Sequence, residues 1–166
     1  MRPRVLVGAA FLLVASTTLA QGTDEKMAKS GPKKAAARQP VFLQAADVKW
    51  TDLDPKGAPG VRIADLWGDH TKGAYGALLK FPPGFVAPLH THTREIRIVV
   101  LSGTYLQTPD GGTEQRMGPG SYVKQPGGNY RHISACDKAS ECVLFIESAG
   151  KFDLKVVDQG KKAPAK

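Results

Sequence analysis

The chain has 166 residues, a length that suits one folded domain with terminal segments left over. Its net charge of +8 comes mostly from the termini: residues 1–20, 21–40 and 158–166 carry +2, +3 and +2, which leaves only +1 for residues 41–157. A basic excess confined to the ends gives no support for a nucleic-acid-binding domain.

The first twenty residues have the pattern of a secretory signal peptide. Arg2 and Arg4 form a basic start, residues 5–15 are an apolar run, and residues 18–20 are a small-residue cleavage site. The run is too short for a typical membrane span, although an uncleaved membrane anchor stays open as an alternative. We therefore expect a periplasmic or secreted protein, with no membrane insertion after residues 1–20 are removed.

Both segments that flank the central region are rich in Lys, Ala, Gly and Pro and offer little apolar surface to bury. Residues 21–40 are expected to be a disordered basic linker and residues 158–166 a disordered basic tail. The folded domain is expected to span residues 41–157.

Within that domain, short apolar runs alternate with turns rich in Gly and Pro, and no long stretch has helical periodicity. This pattern indicates an all-β sandwich or barrel. The predicted strands are residues 41–48, 60–66, 75–81, 96–101, 105–108, 122–125, 133–135, 143–147 and 152–157.

Three of the four histidines fall where a small β-barrel would place metal ligands. His90 and His92 are two residues apart, so on a strand both side chains point to the same face. His132 can supply a third imidazole from a neighbouring strand. Imidazole is the commonest ligand for transition metals, so these residues predict a divalent-metal site that takes zinc, iron, manganese or nickel. His70 has no such partner pattern and is expected in a loop.

At these residues the sequence resembles the cupin superfamily, whose two motifs are G-x5-H-x-H-x3-E-x6-G and G-x5-P-x-G-x2-H. The positions that match are Gly84, His90, His92 and Gly103 in the first motif, and Gly120, Pro126 and Gly128 in the second. The resemblance implies a single-domain cupin jelly-roll β-barrel. It also extends to small exported cupins of uncharacterised function, similar to the cupin domain of ChrR-type anti-sigma factors. The four motif glycines are expected at turns with positive φ.

The chain departs from the motifs at two positions. Ile96 stands at the usual Glu position, and Glu95 comes one residue early. Strict strand alternation would point Glu95 away from the histidines, whereas a bulge after Thr93 would turn it inward as a fourth ligand or a base. His132 comes one residue late, a shift that a loop can absorb, so it is kept as a ligand.

Four further residues are pocket candidates. Tyr105 and Gln125 are expected in the core or in the wall of a pocket. Arg97 and Lys124 lie on the two motif strands and are either solvated outer-face charges or an anion clamp at the mouth of the barrel.

Cys136 and Cys142 are the only cysteines, and an exported chain with an even cysteine count usually oxidises them. A disulfide is the leading interpretation, and a reactive thiol pair stays open. Metal binding is less favoured, because a structural zinc site requires four ligands.

Two functions remain open from the sequence. One is a metalloenzyme of the oxygenase, isomerase or lyase type that acts on a small molecule, with Glu95 the only candidate catalytic group. The other is a non-catalytic cupin of the cell envelope that binds or senses a small ligand. A homodimer formed through exposed strand edges is also an open possibility.

Overall fold

The protein is described by a computed structural model for residues 39–158. The predicted signal peptide, residues 21–38 of the predicted linker and residues 159–166 of the predicted tail lie outside the described residues. None of the helical segments in residues 39–158 is long and apolar enough to cross a membrane.

The described residues form eleven strands and a short 3-10 helix at Ala45–Asp47, with no α-helix among them. The strands are β1 (Thr51–Asp54), β2 (Ala58–Gly68), β3 (Tyr75–Phe81), β4 (His90–Thr91), β5 (Ile96–Ser102), β6 (Tyr105–Pro109), β7 (Gln115–Met117), β8 (Tyr122–Gln125), β9 (His132–Cys136), β10 (Cys142–Ser148) and β11 (Lys155–Val156).

These strands form two antiparallel sheets. One has six strands in the order β1-β2-β3-β10-β5-β8, and the other has five in the order β11-β4-β9-β6-β7. The predicted all-β class is confirmed, but the two sheets do not close into one continuous barrel. Each sheet has two edge strands that pair along one side only within residues 39–158. They are β1 and β8 in the six-stranded sheet, and β11 and β7 in the five-stranded sheet.

The core lies between the two sheets. Burial alternates along β10, whose central residues Leu144 and Ile146 are almost fully buried, and this is the alternation of a strand with one face on a core. Tyr105 of β6 and Cys136 of β9 belong to the same hydrophobic cluster, so both sheets contribute to it.

Two predicted strands are corrected. Residues 41–48 hold the 3-10 helix and no strand, because Val41 and Phe42 are 91% and 84% exposed and bury no face against the core. In residues 152–157 only Lys155–Val156 pairs as a strand, opposite β4. Strands β1, β4 and β7 are absent from the predicted strands, although His90 and His92 were expected to lie on one.

The four motif glycines have positive φ, as predicted. Their values are +73° at Gly84, +75° at Gly103, +85° at Gly120 and +77° at Gly128. Gly103 also has no room for a side chain, because a Cβ there would lie 2.3 Å from the backbone oxygen of Glu141. Backbone conformation and close approach therefore both require glycine at this turn.

Cys136 and Cys142 form a disulfide, with their Cα atoms 5.8 Å apart. It joins the end of β9 in the five-stranded sheet to the start of β10 in the six-stranded sheet. The bridge is therefore a covalent connection between the two sheets.

Replacing both cysteines with serine should lower the free energy of unfolding by about 2 kcal/mol, because the unfolded chain loses a closed loop. Urea unfolding in non-reducing buffer measures the change. As a control, a reductant should shift the wild-type midpoint and leave that of the double variant unchanged. Equal midpoints for the two proteins without reductant would contradict the prediction.

Candidate metal centre

Three buried imidazoles meet at the junction of β4 and β9. His90 begins β4, His92 follows it directly, and His132 begins β9 as the direct partner of His90 across the strands. The ring centroids of His90 and His132 are 4.2 Å apart, and those of His90 and His92 are 4.9 Å apart. The three residues are 1%, 5% and 0% exposed, and each offers one ring nitrogen to a group whose atoms all lie within 4.8 Å of one another.

Backbone carbonyls set the orientation of each ring. The Nδ1 atoms lie within hydrogen-bond distance of the carbonyl oxygens of Pro88 (2.7 Å from His90), Asp153 (from His92) and Tyr130 (3.3 Å from His132). Because a carbonyl oxygen can only accept, each Nδ1 carries the proton and donates it. Each Nε2 then keeps a free lone pair, which is the arrangement that metal-binding imidazoles use.

The surroundings of His132 Nε2 show independently whether a metal ion fits among the three rings. It is buried and has no hydrogen-bond partner within residues 39–158. A buried polar atom without a partner is costly and rare in native proteins, and an ion at the centre of the cluster would satisfy it. The three residues therefore fit a divalent metal ion.

Burial also holds the imidazoles in the form that binds metals. Desolvation lowers the pKa of His92 to about 4 and that of His132 to about 3, and it lowers the pKa of His90 below its ordinary value. All three rings are therefore neutral at neutral pH, and no proton has to leave before an ion binds.

Asp153 positions His92 from the segment between β10 and β11. Its backbone oxygen accepts from His92 Nδ1, and its carboxylate accepts from Thr93 N at 2.8 Å and from Thr93 Oγ1. Burial alone would raise the pKa of Asp153, but these hydrogen bonds outweigh it and hold the pKa below its ordinary value. Asp153 thus holds the His92 ring through its backbone oxygen and the following residue, Thr93, through its ionised carboxylate.

Replacing Asp153 with alanine removes the carboxylate that anchors Thr93 but keeps the backbone oxygen that accepts from His92 Nδ1, so metal binding should weaken by up to about tenfold, the lower end of what lost support for a ligand costs. Competition against a chromogenic chelator measures the affinity. Asp52→Ala is the matched control, because Asp52 is an exposed aspartate on β1. Equal affinities for the two variants would show that Asp153 does not support the site.

The structure does not bring Glu95 to the three imidazoles. Glu95 Oε1 lies 3.1 Å from Arg97 Nε, and Glu95 Oε2 lies 3.4 Å from Lys124 Nζ on the outer face of the six-stranded sheet. Ile96, at the usual Glu position, is buried and lines an interior cavity beside His90 and His92. The sequence left two orientations open for Glu95. The structure has the one that strict strand alternation predicts, with the side chain pointing away from the histidines.

The four pocket candidates separate into two pairs. Arg97 and Lys124 are exposed and pair with Glu95, and Arg97 Nη1 also lies 3.2 Å from Glu147 Oε1. They therefore lie on the outer face rather than at the cavity. Tyr105 and Gln125 are buried and line the cavity.

Sequence reasoning missed two aromatic residues at the site. The ring of Tyr130 stacks on that of His132 with centroids 5.1 Å apart, and the ring of Phe152 lies 5.5 Å from that of His92. Tyr130 could have been identified as the residue two before His132, on the same face of an extended chain. Phe152 is sixty residues from His92, and no local pattern connects them.

The histidine cluster adjoins an interior cavity of about 60 Å³. None of the residues that line it is Asp, Glu, Lys or Arg. The lining residues are Leu53, Ala58, Val61, Leu79, Phe81, Phe85, Ala87, His90, His92, Ile96, Ile98, Tyr105, Gln125, Ser134, Leu144, Ile146, Phe152 and Leu154. An outer cavity of about 550 Å³ shares six of them and adjoins the first.

His70 lies in a turn, as predicted, beside Asp65 and Asp69. Its Nδ1 is 2.9 Å from Asp65 Oδ2, and Asp69 Oδ2 is 2.6 Å from Lys72 Nζ. These groups are satisfied by one another near the surface, which is a common arrangement without a metal.

A family model described as a domain of unknown function, DUF4437, matches residues 22–165. No curated protein matches the chain in sequence.

Solved structures that match share the cupin fold. The polyketide cyclase RemF from Streptomyces resistomycificus is 20% identical, with a TM-score of 0.62 over 74% of this chain and 89% of that one. An RmlC-like cupin from Ralstonia eutropha JMP134 is 21% identical, with a TM-score of 0.56 over 76% of this chain and 78% of that one. A chain from the complex of SigE with the anti-sigma ChrR from Rhodobacter sphaeroides is 24% identical, with a TM-score of 0.48 over 63% of this chain and 50% of that one. At their identities, the first two structures show the fold alone.

Proposed function

We propose that this chain, which belongs to the DUF4437 family and has the cupin fold, is an exported protein that binds one divalent metal ion through His90, His92 and His132. The observation that carries the proposal is the common orientation of the three rings. Every Nδ1 is used by a backbone carbonyl, so three Nε2 lone pairs remain for an ion in a buried site.

Three protein ligands favour a reactive site over a closed structural one. Zinc, iron, manganese or nickel bound by three imidazoles keeps at least one open position, where it would act as a Lewis acid or, as iron, bind oxygen. The adjoining cavity gives a small molecule access to that position. We therefore propose a metalloenzyme of the oxygenase, isomerase or lyase type.

One observation favours a second candidate, a non-catalytic cupin that binds or senses a small ligand. Within residues 39–158 no carboxylate or amine lines the cavity that could move a proton. The hydroxyl of Tyr105 is 2.9 Å from Ser134 Oγ, and burial raises its pKa further above the physiological range. A reaction that needs a protein base would therefore have no obvious group to supply it.

Export is supported by the basic start, apolar run and cleavage pattern of residues 1–20, and by the Cys136–Cys142 disulfide, which suits an oxidising compartment. A homodimer is supported by the edge of β8, which is unpaired within residues 39–158 and where Tyr122 is exposed. N-terminal sequencing of the mature protein and light scattering after size exclusion test these two points.

Elemental analysis of the mature protein, purified without a His tag, tests the proposed function. Near-stoichiometric metal in the wild type and none in the His90→Ala/His92→Ala variant is the expected result, and the element found indicates the chemistry. His70→Ala is the matched control and should keep its metal. Absence of metal from the wild type after reloading with each of the four ions would overturn the proposal.

The loaded protein then separates the two candidate functions. For an enzyme, His92→Ala should abolish turnover of the substrate. For a binding protein there is no turnover to lose, and the variant should lose only affinity for metal or ligand.

A further inference from the structure

The charge balance of the site leaves part of the charge of an ion uncompensated. Three neutral imidazoles would hold a divalent ion, and within residues 39–158 no acidic residue lines the cavity beside it. The ionised carboxylate of Asp153, bonded to Thr93 next to His92, would offset one of the two charges, whereas that of Glu95 is paired with Arg97 and Lys124 on the outer face. The remaining positive charge would lie in surroundings that solvate charge poorly.

The rest of the cavity presents no charge of either sign. Besides the histidines, its polar lining residues are Tyr105, Ser134 and Gln125. The first two bond to each other, and Gln125 Oε1 accepts from Gln107 Nε2 at 3.0 Å. All other lining residues are apolar. A second charged group on a ligand would thus be desolvated there without a partner.

We infer that the site selects a small monoanion with an uncharged, mainly apolar body. The anionic head balances the remaining charge of the ion, and the body fills the space among the apolar side chains. This inference rests on the proposed metal site and adds the class of ligand.

The route into the site is consistent with that class. Six residues line both the interior and the outer cavity: Leu53, Ala58, Phe85, Ala87, Phe152 and Leu154. All six are apolar, so the wall that the two cavities share carries no charged side chain. Polar and charged groups such as His70 and Lys151 line the outer cavity alone.

Isosteric probes test the inference on the reloaded wild-type protein. Co²⁺ is the metal, because its visible spectrum changes when a ligand binds. Pentanoate is compared with pentanamide, which removes the negative charge, and with 4-aminobutyrate, which replaces the terminal methyl by an ammonium. We expect pentanoate to bind at least about tenfold more tightly than either, because each change leaves a charge unbalanced or desolvated.

The outcomes separate this inference from the proposed function. Failure of the wild type to bind Co²⁺ would overturn both. Binding of Co²⁺ with pentanamide or 4-aminobutyrate as tight as pentanoate would overturn the inference alone.

Two variants test whether pentanoate binds in the interior cavity. Ala87→Leu and Ala58→Leu each enlarge a residue that lines both cavities, and either should keep Co²⁺ while weakening pentanoate at least about fivefold by filling space. Ala46→Leu is the matched control on the exposed 3-10 helix and should bind pentanoate as the wild type does. Unchanged pentanoate affinity in metal-loaded Ala87→Leu and Ala58→Leu would place the probe elsewhere and contradict the inference.

Discussion

His132→Ala should reduce metal affinity by more than about 100-fold. Loss of a residue that only supports a ligand costs at most about that much, and His132 is expected to be a ligand itself. His132 is fully buried, and its Nε2 has no hydrogen-bond partner within residues 39–158. Removal of the ring leaves His90 and His92, and two imidazoles from one short segment do not complete a site for zinc or iron.

Chelator competition measures the affinity, and circular dichroism establishes that the variant is folded. Removal of a fully buried ring leaves a void and ends its stacking on Tyr130, so the metal-free variant should unfold below the wild-type midpoint, and affinity is measured where circular dichroism shows it folded. His70→Ala is the control for loss of an imidazole near the surface. Wild-type affinity in folded His132→Ala would eliminate His132 as a ligand.

Leu144→Ala should lower the free energy of unfolding by about 3 kcal/mol, within the range for a large-to-small change in a core. Leu144 is 1% exposed in the middle of β10, with Leu79 of β3 as its partner on one side and Val100 of β5 on the other. The lost methyl groups leave a void that the paired backbones on both sides cannot close.

Leu101→Ala provides the matched comparison, because Leu101 is a leucine of β5 that is 47% exposed. Its cost should stay below about 1 kcal/mol. Urea unfolding of both metal-free variants measures the difference. Equal losses would mean that Leu144 does not belong to a well-packed core.

Strands buried on a regular face could be predicted closely from the sequence. Tyr75–Phe81 and Tyr122–Gln125 have the predicted bounds, and the run predicted at residues 143–147 extends by one residue at each end. In Tyr75–Phe81 and Cys142–Ser148 the apolar residues that mark a strand also face the core, so hydrophobicity and structure agree, whereas in Tyr122–Gln125 the aromatic Tyr122 is exposed.

The strand prediction failed where apolar residues are exposed, and where a strand is stabilised by residues distant in the sequence. Val41 and Phe42 have the hydrophobicity of a strand but lie exposed, whereas Thr51–Asp54 is a strand whose sequence is mostly polar. Such edge segments are determined by pairing with a neighbour, which the local sequence does not encode.

The candidate site also has a part that could be predicted from the sequence and a part that could not. The spacing of His90 and His92 and the motif around His132 identified the three imidazoles that the structure brings together. The support from Asp153 and the contact of Phe152 with His92 could not be predicted, because they depend on how the segment before β11 returns to β4.

Backbone pairing between β4 and β9 is confined to His90 opposite His132. The segment before β4 is also bonded to β9, through Ala87 N to Ser134 O and Cys136 N to Phe85 O, so an ion held by those two rings would add a clamp to a junction that the main chain already holds. Since such a clamp exists only in the native state, metal supply and folding become a single equilibrium. A free metal concentration a thousand times the dissociation constant would add about 4 kcal/mol to stability. Metal scarcity would then act on the protein first through its lifetime rather than through its chemistry.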